Sequence, residues 1–211
     1  MKLNDEDGNR NNCDAICLNA SNKDVHNWAK NKEKDYYLSR YEIVPGLPIH
    51  RSATCEVRFA KDHIAETGTN DQVALKFMHN EDQFLSELKS RTDTADGFDD
   101  AVISIIRSHK PTTEETKEEE QDVQYVLVME RGQRSLHEAC TKERIAGHDV
   151  EAVKAILLRI ADCISKLQDG NLCHGDLKPR NIMRLGAEND EKAQWILIDM
   201  DASAKFNTPC G

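Results

Sequence analysis

Short apolar runs separated by turn residues characterise residues 41–130 of the chain. Because the runs are brief, rich in Val, Ile and Phe, and bounded by Pro-Gly or Thr-Gly-Thr-Asn, they favour β-strands. Five strands are predicted in this part of the chain: 41–50, 55–62, 72–78, 101–106 and 123–130. Between the third and the fourth strand, a helix is predicted over 81–91, with Phe84, Leu85 and Leu88 on one face.

Helical periodicity dominates the residues that follow. A short helix is predicted over 135–147, and a long helix should run from an Asp149 cap to about Gln168. Apolar residues recur on the long helix with i, i+3, i+4 spacing and are predicted to face the core: Val153, Ile156, Leu157, Ile160, Ile164 and Leu167. Two strands, 181–185 and 194–200, come next. This order predicts an α+β chain with two lobes, whose cleft would suit a ligand.

Three regions are therefore expected. Residues 1–40 form a polar extension, residues 41–132 a strand-rich lobe with a connecting strand, and residues 133–211 a helical region. Two acidic segments, 93–100 and 111–122, should be solvated loops, since their like charges repel and they carry few core residues.

The charge balance excludes several classes of protein. The 211 residues include 28 Lys and Arg against 38 Asp and Glu, a net charge of −10. Proteins that hold nucleic acid or membrane surfaces electrostatically need the opposite sign. No apolar run is long enough to span a membrane, and the polar start is unlike a secretory signal.

The cysteines point to a reducing compartment. Their number, 7, is odd and they form no CxxC pair, so a disulfide scaffold or zinc ribbon is not expected. We expect a cytoplasmic protein, with the nucleus as the alternative compartment.

The densest group of reactive side chains lies at 174–181, in the sequence His-Gly-Asp-Leu-Lys-Pro-Arg-Asn. Asp176 can accept a hydrogen bond from an attacking hydroxyl and orient it. Lys178 can neutralise charge on a transferring phosphoryl group, and Asn181 can ligate Mg²⁺ through its amide oxygen. The alternative is a loop whose Asp and Asn only cap turns.

This segment resembles the catalytic loop of the eukaryotic protein kinases, H-R-D-L-K-P-x-N, and its Lys-Pro pair resembles the serine/threonine type. Three further pieces stand in the order of that family. Val73-Ala74-Leu75-Lys76 resembles the V-A-I-K strand, Glu87 resembles the acid that pairs with its lysine, and Asp199 resembles the metal-binding Asp of D-F-G.

The resemblance implies a role for each of these residues. Lys76 and Glu87 would position ATP, Asn181 and Asp199 would bind Mg²⁺, and Asp176 would be catalytic with Lys178 assisting. Residues 126–132 resemble the strand that enters the hinge of that family. The further ATP-binding residues implied by the resemblance are Val57, Ala74, Met129, Glu130 and Arg131.

The sequence departs from the protein kinase pattern at several positions. His50, Ser52 and Cys55 stand where the glycine-rich loop has its three glycines, so ATP affinity should be weaker, although the small residues at 52–54 still allow a tight turn. Gly175 replaces the usual Arg of the catalytic loop, so control by activation-loop phosphorylation is not expected.

Two more departures follow Asp199. Met200 stands in place of Phe and can fill the same apolar slot, whereas Asp201 replaces the Gly of D-F-G. The second carboxylate would either support metal binding or raise one pKa by repulsion. The resemblance covers about 41–205, so the helical lobe is expected to be incomplete.

A serine/threonine protein kinase, transferring the γ-phosphoryl group of Mg-ATP to a protein substrate, is the leading hypothesis. A pseudokinase that keeps the fold without turnover is one alternative, motivated by the absent glycines. A small-molecule kinase of the aminoglycoside or choline type is the other, because those enzymes also carry an HGD loop followed by an Asn.

Overall fold

A computed structural model describes most of the chain after residue 34. The described residues are 35–65, 71–92, 98, 100–111, 124–186 and 193–206. The chain divides into two units, 1–34 and 35–211, and every described residue belongs to the second unit. The polar extension up to residue 34, the turn at 67–70 and most of both acidic segments therefore lie outside the described residues.

A curled antiparallel sheet forms the strand-rich part. Its strands are β1 (Tyr36–Tyr37), β2 (Tyr41–Ile43), β3 (His50–Arg51), β4 (Cys55–Asp62), β5 (Gln72–Met78), β6 (Ile105–His109) and β7 (Tyr125–Glu130). The strand order is β1-β2-β4-β5-β7-β6, and β3 also pairs with β4. The predicted bounds of β4 and β5 are confirmed. Because side chains alternate along β5, Leu75 and Phe77 pack on one face while Ala74 and Lys76 lie on the other.

Helix α1 (Glu81–Thr92) begins where Asn80 Oδ1 accepts a hydrogen bond of 2.9 Å from the Gln83 amide. The predicted helix is confirmed, and Phe84 is buried as expected. Leu85 is 44% exposed, so its predicted place on the buried face is wrong. Glu87 is buried on that face instead, where it forms ion pairs with Lys76 and Arg91.

The predicted strand over 101–106 is displaced in the structure. Strand β6 begins at Ile105, whereas Ala101–Ile103 is buried outside the large sheet. Ile103 donates its amide hydrogen to the Leu197 carbonyl at 2.9 Å, and Leu197 donates to the Ala101 carbonyl at 2.9 Å. These apolar residues therefore join the strand-rich part to the helical part, because β-propensity alone does not select the partner strand.

Helix α2 (Leu136–Lys142) is shorter than the helix predicted over 135–147. A capping box between Ser135 and Glu138 fixes its start. The chain then takes positive φ values at Arg144 (54°) and Gly147 (88°), which end the helical path. The predicted end is thus wrong by five residues.

Helix α3 (Val150–Asp169) is capped by Asp149, whose side chain accepts from the Ala152 amide at 2.9 Å. It packs on the strands Gln194–Leu197 and Leu172–Cys173 and buries four residues: Ile156, Ile160, Cys163 and Leu167. Leu157 is 60% exposed and Ile164 is 39% exposed, so their prediction as core residues is wrong. The two short strands cover only one side of the helix, and Cys163 is buried on that side.

Small antiparallel sheets position the segment 174–181. Their strands are β8 (Arg134–Ser135), β9 (Leu172–Cys173), β10 (Ile182–Leu185), β11 (Gln194–Leu197) and β12 (Ala204–Lys205). Strand β9 pairs with β12, and β10 lies between β8 and β11. The segment is thus held at both ends, and the α+β, kinase-like fold is confirmed. None of the described helices has the length and apolarity needed to cross a membrane.

Candidate active site

Three charged residues from different elements meet at one point. Lys76 of β5 donates a hydrogen bond to Glu87 of α1 at 2.7 Å and to Asp199, just beyond β11, at 2.5 Å. Lys76 and Glu87 are 5% and 0% exposed, whereas the Asp199 side chain is 32% exposed. The resemblance predicted the pairing of Lys76 with Glu87 and gave Asp199 a separate role in binding Mg²⁺, and the structure brings all three residues together.

Burial and charge act in opposite directions on Lys76. Burial lowers the pKa of Lys76, but the carboxylates of Glu87 and Asp199 outweigh it, so the pKa lies above its ordinary value. The ammonium group therefore stays charged at neutral pH. A fixed positive charge beside an exposed carboxylate suits the binding of phosphate oxygens and a divalent cation.

Glu87 has a second cationic partner that the sequence did not reveal. Its Oε1 accepts a hydrogen bond of 2.8 Å from Arg91, one helical turn further along α1. Arg91 also donates to the Ile103 carbonyl oxygen. The i, i+4 spacing was a signal for this pair, but the spacing alone gives no sign that both side chains are buried.

The segment 174–181 brings its polar groups together around Asp176. Lys178 donates to Asp176 Oδ2 at 2.5 Å, and the Asn181 amide nitrogen donates to the Asp176 carbonyl at 2.9 Å and to Oδ2 at 3.1 Å. The hydrogen bond from Lys178 holds the pKa of Asp176 below its ordinary value. The side chain of Asp176 is 40% exposed, so its ionised carboxylate can be reached by an acceptor molecule.

His174 connects this segment to Ile198, the residue between β11 and Asp199. Its Nε2 lies 2.9 Å from the Ile198 carbonyl oxygen, which can only accept, so Nε2 carries the hydrogen. Nδ1 then accepts from the Asp176 amide at 3.4 Å. His174 is 6% exposed, and its two hydrogen bonds hold the segment in place. This positioning role was not predicted from the motif.

The backbone conformation at position 175 explains why glycine stands there in place of the usual arginine. Its φ is +79°, and a Cβ atom there would overlap the carbonyl oxygen of Ala202. The loop therefore passes so close to the residues after Asp199 that only glycine fits.

We expect Gly175→Ala to lower the free energy of unfolding by about 1–3 kcal/mol more than Gly147→Ala does. Both glycines have positive φ, but a Cβ at Gly147 would meet no neighbouring atom, so this control carries the backbone strain alone. Urea unfolding measures the difference. Equal losses in the two variants would contradict the close contact with Ala202.

The residues around Asp199 combine a strained backbone with a buried anchor. Asp199 has a φ of +66°, and Met200 is fully buried, filling the apolar slot as the sequence suggested. Burial, followed by the charge of Asp199, raises the pKa of Asp201 above its ordinary value. Burial is thus the main cause of the shift, and the repulsion expected between Asp199 and Asp201 is the second.

The turn between β3 and β4 is tight although it contains no glycine. Ser52 donates its amide hydrogen to the Cys55 carbonyl at 2.9 Å, and its Oγ accepts from the Cys55 amide at 3.1 Å. The Thr54 amide also donates to Ser52 Oγ at 3.3 Å. A serine hydroxyl thus supplies the contacts that close this turn.

The other residues predicted to bind ATP lie on neighbouring strands or directly after one of them. Ala74 pairs with Met129 across β5 and β7, and Val57 pairs with Lys76 across β4 and β5. The guanidinium group of Arg131 lies 4.0 Å above the Phe59 ring and donates to Gln72 at 2.8 Å. Glu130 ends β7. The ATP-binding roles of these residues stay predictions.

Two oxygen ligands for a divalent cation are available here. The nitrogen of the Asn181 amide is taken up by Asp176, which leaves the amide oxygen as the ligand atom, and Asp199 presents a partly exposed carboxylate. No group of three or more His, Cys, Asp or Glu side chains suited to a metal occurs among the described residues. Mg²⁺ is commonly held by one or two carboxylates together with substrate phosphates and waters.

Residues 104–208 match the Lipopolysaccharide kinase (Kdo/WaaP) family. The match covers just under half of the chain and supports a kinase of the protein-kinase-like superfamily. The matched segment includes Asp176, Lys178, Asn181 and Asp199, whereas Lys76 and Glu87 precede it. The match supports a transferase but gives no support to a serine/threonine-specific protein kinase. A search of curated proteins found no match to the chain.

Proposed function

We propose that this chain transfers the γ-phosphoryl group of ATP to a hydroxyl of a sugar or another small, non-protein alcohol. The match of residues 104–208 to a family of lipopolysaccharide kinases carries the choice of acceptor. The arrangement of Lys76, Glu87, Asp199 and Asp176 supports the phosphoryl-transfer chemistry.

Each of these side chains has a defined task in the proposed reaction. Lys76 binds phosphate oxygens, and Glu87 keeps it in place. Asn181 and Asp199 hold Mg²⁺, which neutralises phosphate charge when it is bound. The acceptor oxygen forms a bond to the γ-phosphorus as the bond to the leaving oxygen of ADP breaks.

Asp176 orients the acceptor hydroxyl by accepting its hydrogen bond, and it takes up the proton as the new bond forms. Its low pKa fits a late transfer of this proton, because a weak base gains little from abstracting it early. Lys178 lies against the same carboxylate and stabilises the negative charge that spreads over the transferring group.

Acceptor specificity can be tested directly with the purified chain and radiolabelled ATP. One arm offers a panel of hexoses, heptoses and acidic sugars, and the other offers casein and Ser/Thr-rich peptides. We expect label in a sugar and none above background in protein. The Asp176→Asn variant controls for a contaminating kinase.

The other outcomes each favour a different hypothesis. Label in protein alone would contradict the proposal and restore the serine/threonine reading, for which the Lys178-Pro179 pair is the main sequence feature. No label in either arm, with ATP bound, would favour the pseudokinase.

A further inference from the structure

The hydroxyl group of Ser52 occupies two successive backbone amides in the turn between β3 and β4. Ser52 Oγ accepts a hydrogen bond from the Cys55 amide at 3.1 Å and another from the Thr54 amide at 3.3 Å. A serine oxygen has two lone pairs, so the two amides saturate it as an acceptor. Both backbone donors are therefore bound to an uncharged side chain of the same turn.

This turn lies at the end of the strand that pairs with the strand of Lys76. Val57 of β4 is the partner of Lys76 in β5, and Cys55 is the partner of Met78. Side chains two residues apart on a strand share a face, so Cys55 lies on the same face of the sheet as Lys76. Cys55 is only about 7 Å along β4 from the residue opposite Lys76. Phosphates bound to Lys76 in the proposed reaction can therefore extend toward the turn.

The two amides suit a phosphate oxygen better than they suit a hydroxyl. Successive backbone amides in a turn are a common means of binding anions. A charged acceptor also makes a stronger hydrogen bond to an amide than an uncharged oxygen does. Ser52 is exposed, so its side chain can rotate into solvent when a phosphate approaches. The exchange costs the two hydrogen bonds to Ser52 Oγ.

We propose that Ser52 is a positioning residue that competes with the nucleotide phosphates for the amides of Thr54 and Cys55. This inference rests on the proposed phosphoryl transfer. In the free protein the hydroxyl group binds both amides, and in the nucleotide complex a phosphate oxygen replaces it. The competition lowers the affinity of the chain for nucleotides that carry a β-phosphate.

The turn has backbone hydrogen bonds that do not depend on the Ser52 side chain. The Ser52 amide donates to the Cys55 carbonyl at 2.9 Å, and the His79 amide donates to the Thr54 carbonyl at 3.1 Å. Ser52→Ala should therefore keep the turn and release the two amides. An unfavourable effect of a loosened turn would have the opposite sign from the effect of released donors.

Isothermal titration calorimetry of the full chain with Mg-ADP and with adenosine tests the competition. Ser52→Ala should bind ADP about 3- to 10-fold more tightly than the unaltered chain, the effect of about one net hydrogen bond. Adenosine has no phosphate, so its affinity should not change. Ser52→Thr keeps the hydroxyl group and should bind ADP as the unaltered chain does. Ser165→Ala, at an exposed position of α3, is the matched control and should also leave ADP binding unchanged.

The remaining outcomes separate this inference from the proposed function. Equal or weaker binding of ADP by Ser52→Ala would overturn the competition and leave the proposed reaction standing. An equal gain for ADP and adenosine would also overturn it, because that gain would not involve the phosphates. Failure of the unaltered chain to bind ADP would contradict the proposed reaction and, with it, the role of Ser52.

Discussion

Asp176→Asn should lower the rate of phosphoryl transfer by a factor of about 10²–10⁴, the usual contribution of a positioned acid or base. The asparagine keeps the size of the side chain but can no longer take up the proton of the acceptor hydroxyl. Initial rates at saturating ATP measure the loss. The KM for ATP should change little, because Asp176 makes its contacts to Lys178 and Asn181 and none to Lys76.

Asp169→Asn is the matched control for this variant. Asp169 ends α3 and is exposed, so the same chemical change there should leave the rate unchanged. The hydrogen bond from Lys178 keeps the pKa of Asp176 low, so Asp176 is ionised throughout the neutral range and the loss should be constant there. A loss that varied with pH between about 6 and 8, a range far above the usual aspartate pKa, or full activity in the variant, would contradict the assigned role.

The features predicted correctly from the sequence are those set by local patterns. Strands β4 and β5 and helix α1 follow from alternation, turn residues and helical periodicity. The segment 174–181 was conspicuous because its Asp, Lys and Asn lie close together in sequence. The ion pair between Lys76 and Glu87, by contrast, was predicted only from the resemblance to a known family.

The wrong predictions concern positions where tertiary contacts decide which strand a segment pairs with or which side chain is buried. The local sequence pattern does not specify these contacts. Ala101–Ile103 has the composition of a strand, but it pairs with Leu197 instead of entering the large sheet. Leu157 lies on the same helical stripe as Ile160, yet it is exposed because β9 and β11 cover only one side of α3. Hydrophobic periodicity marks a stripe that can be buried, and the neighbouring elements decide how much of it is.

The acceptor class is a further limit of the same kind. Asp176, Lys178 and Asn181 are assigned roles that kinases with different acceptors share, so they do not distinguish a sugar hydroxyl from a serine hydroxyl. Here the Lys178-Pro179 pair suggested a protein acceptor, whereas the family match over 104–208 points to another class. The choice of acceptor therefore depends on residues other than Asp176, Lys178 and Asn181.

Glu87→Ala should lower the free energy of unfolding by about 3–5 kcal/mol, the usual effect of removing one partner from a buried ion pair. Lys76 and Arg91 lie on either side of the lost carboxylate, and their side chains are only 6% and 10% exposed. Both cations would remain buried with less compensation. Urea unfolding measures the loss, and Asp82→Ala, an exposed position in the first turn of α1, should cost about 1 kcal/mol or less.

A second substitution separates the cost of unpaired charge from the cost of an empty space. If uncompensated charge is the cause, Lys76→Met in the Glu87→Ala background should recover part of the lost stability, because it removes one of the two buried cations. If the loss instead comes from the cavity left by the alanine side chain, Lys76→Met should recover no stability. Arg91 contacts the Glu87 oxygen that Lys76 does not contact, so the methionine leaves the space beside Arg91 unfilled. Recovery would mean that Glu87 is retained for the sake of Lys76 and Arg91, and that the lysine is held in place at a cost in stability that the carboxylates of Glu87 and Asp199 together offset.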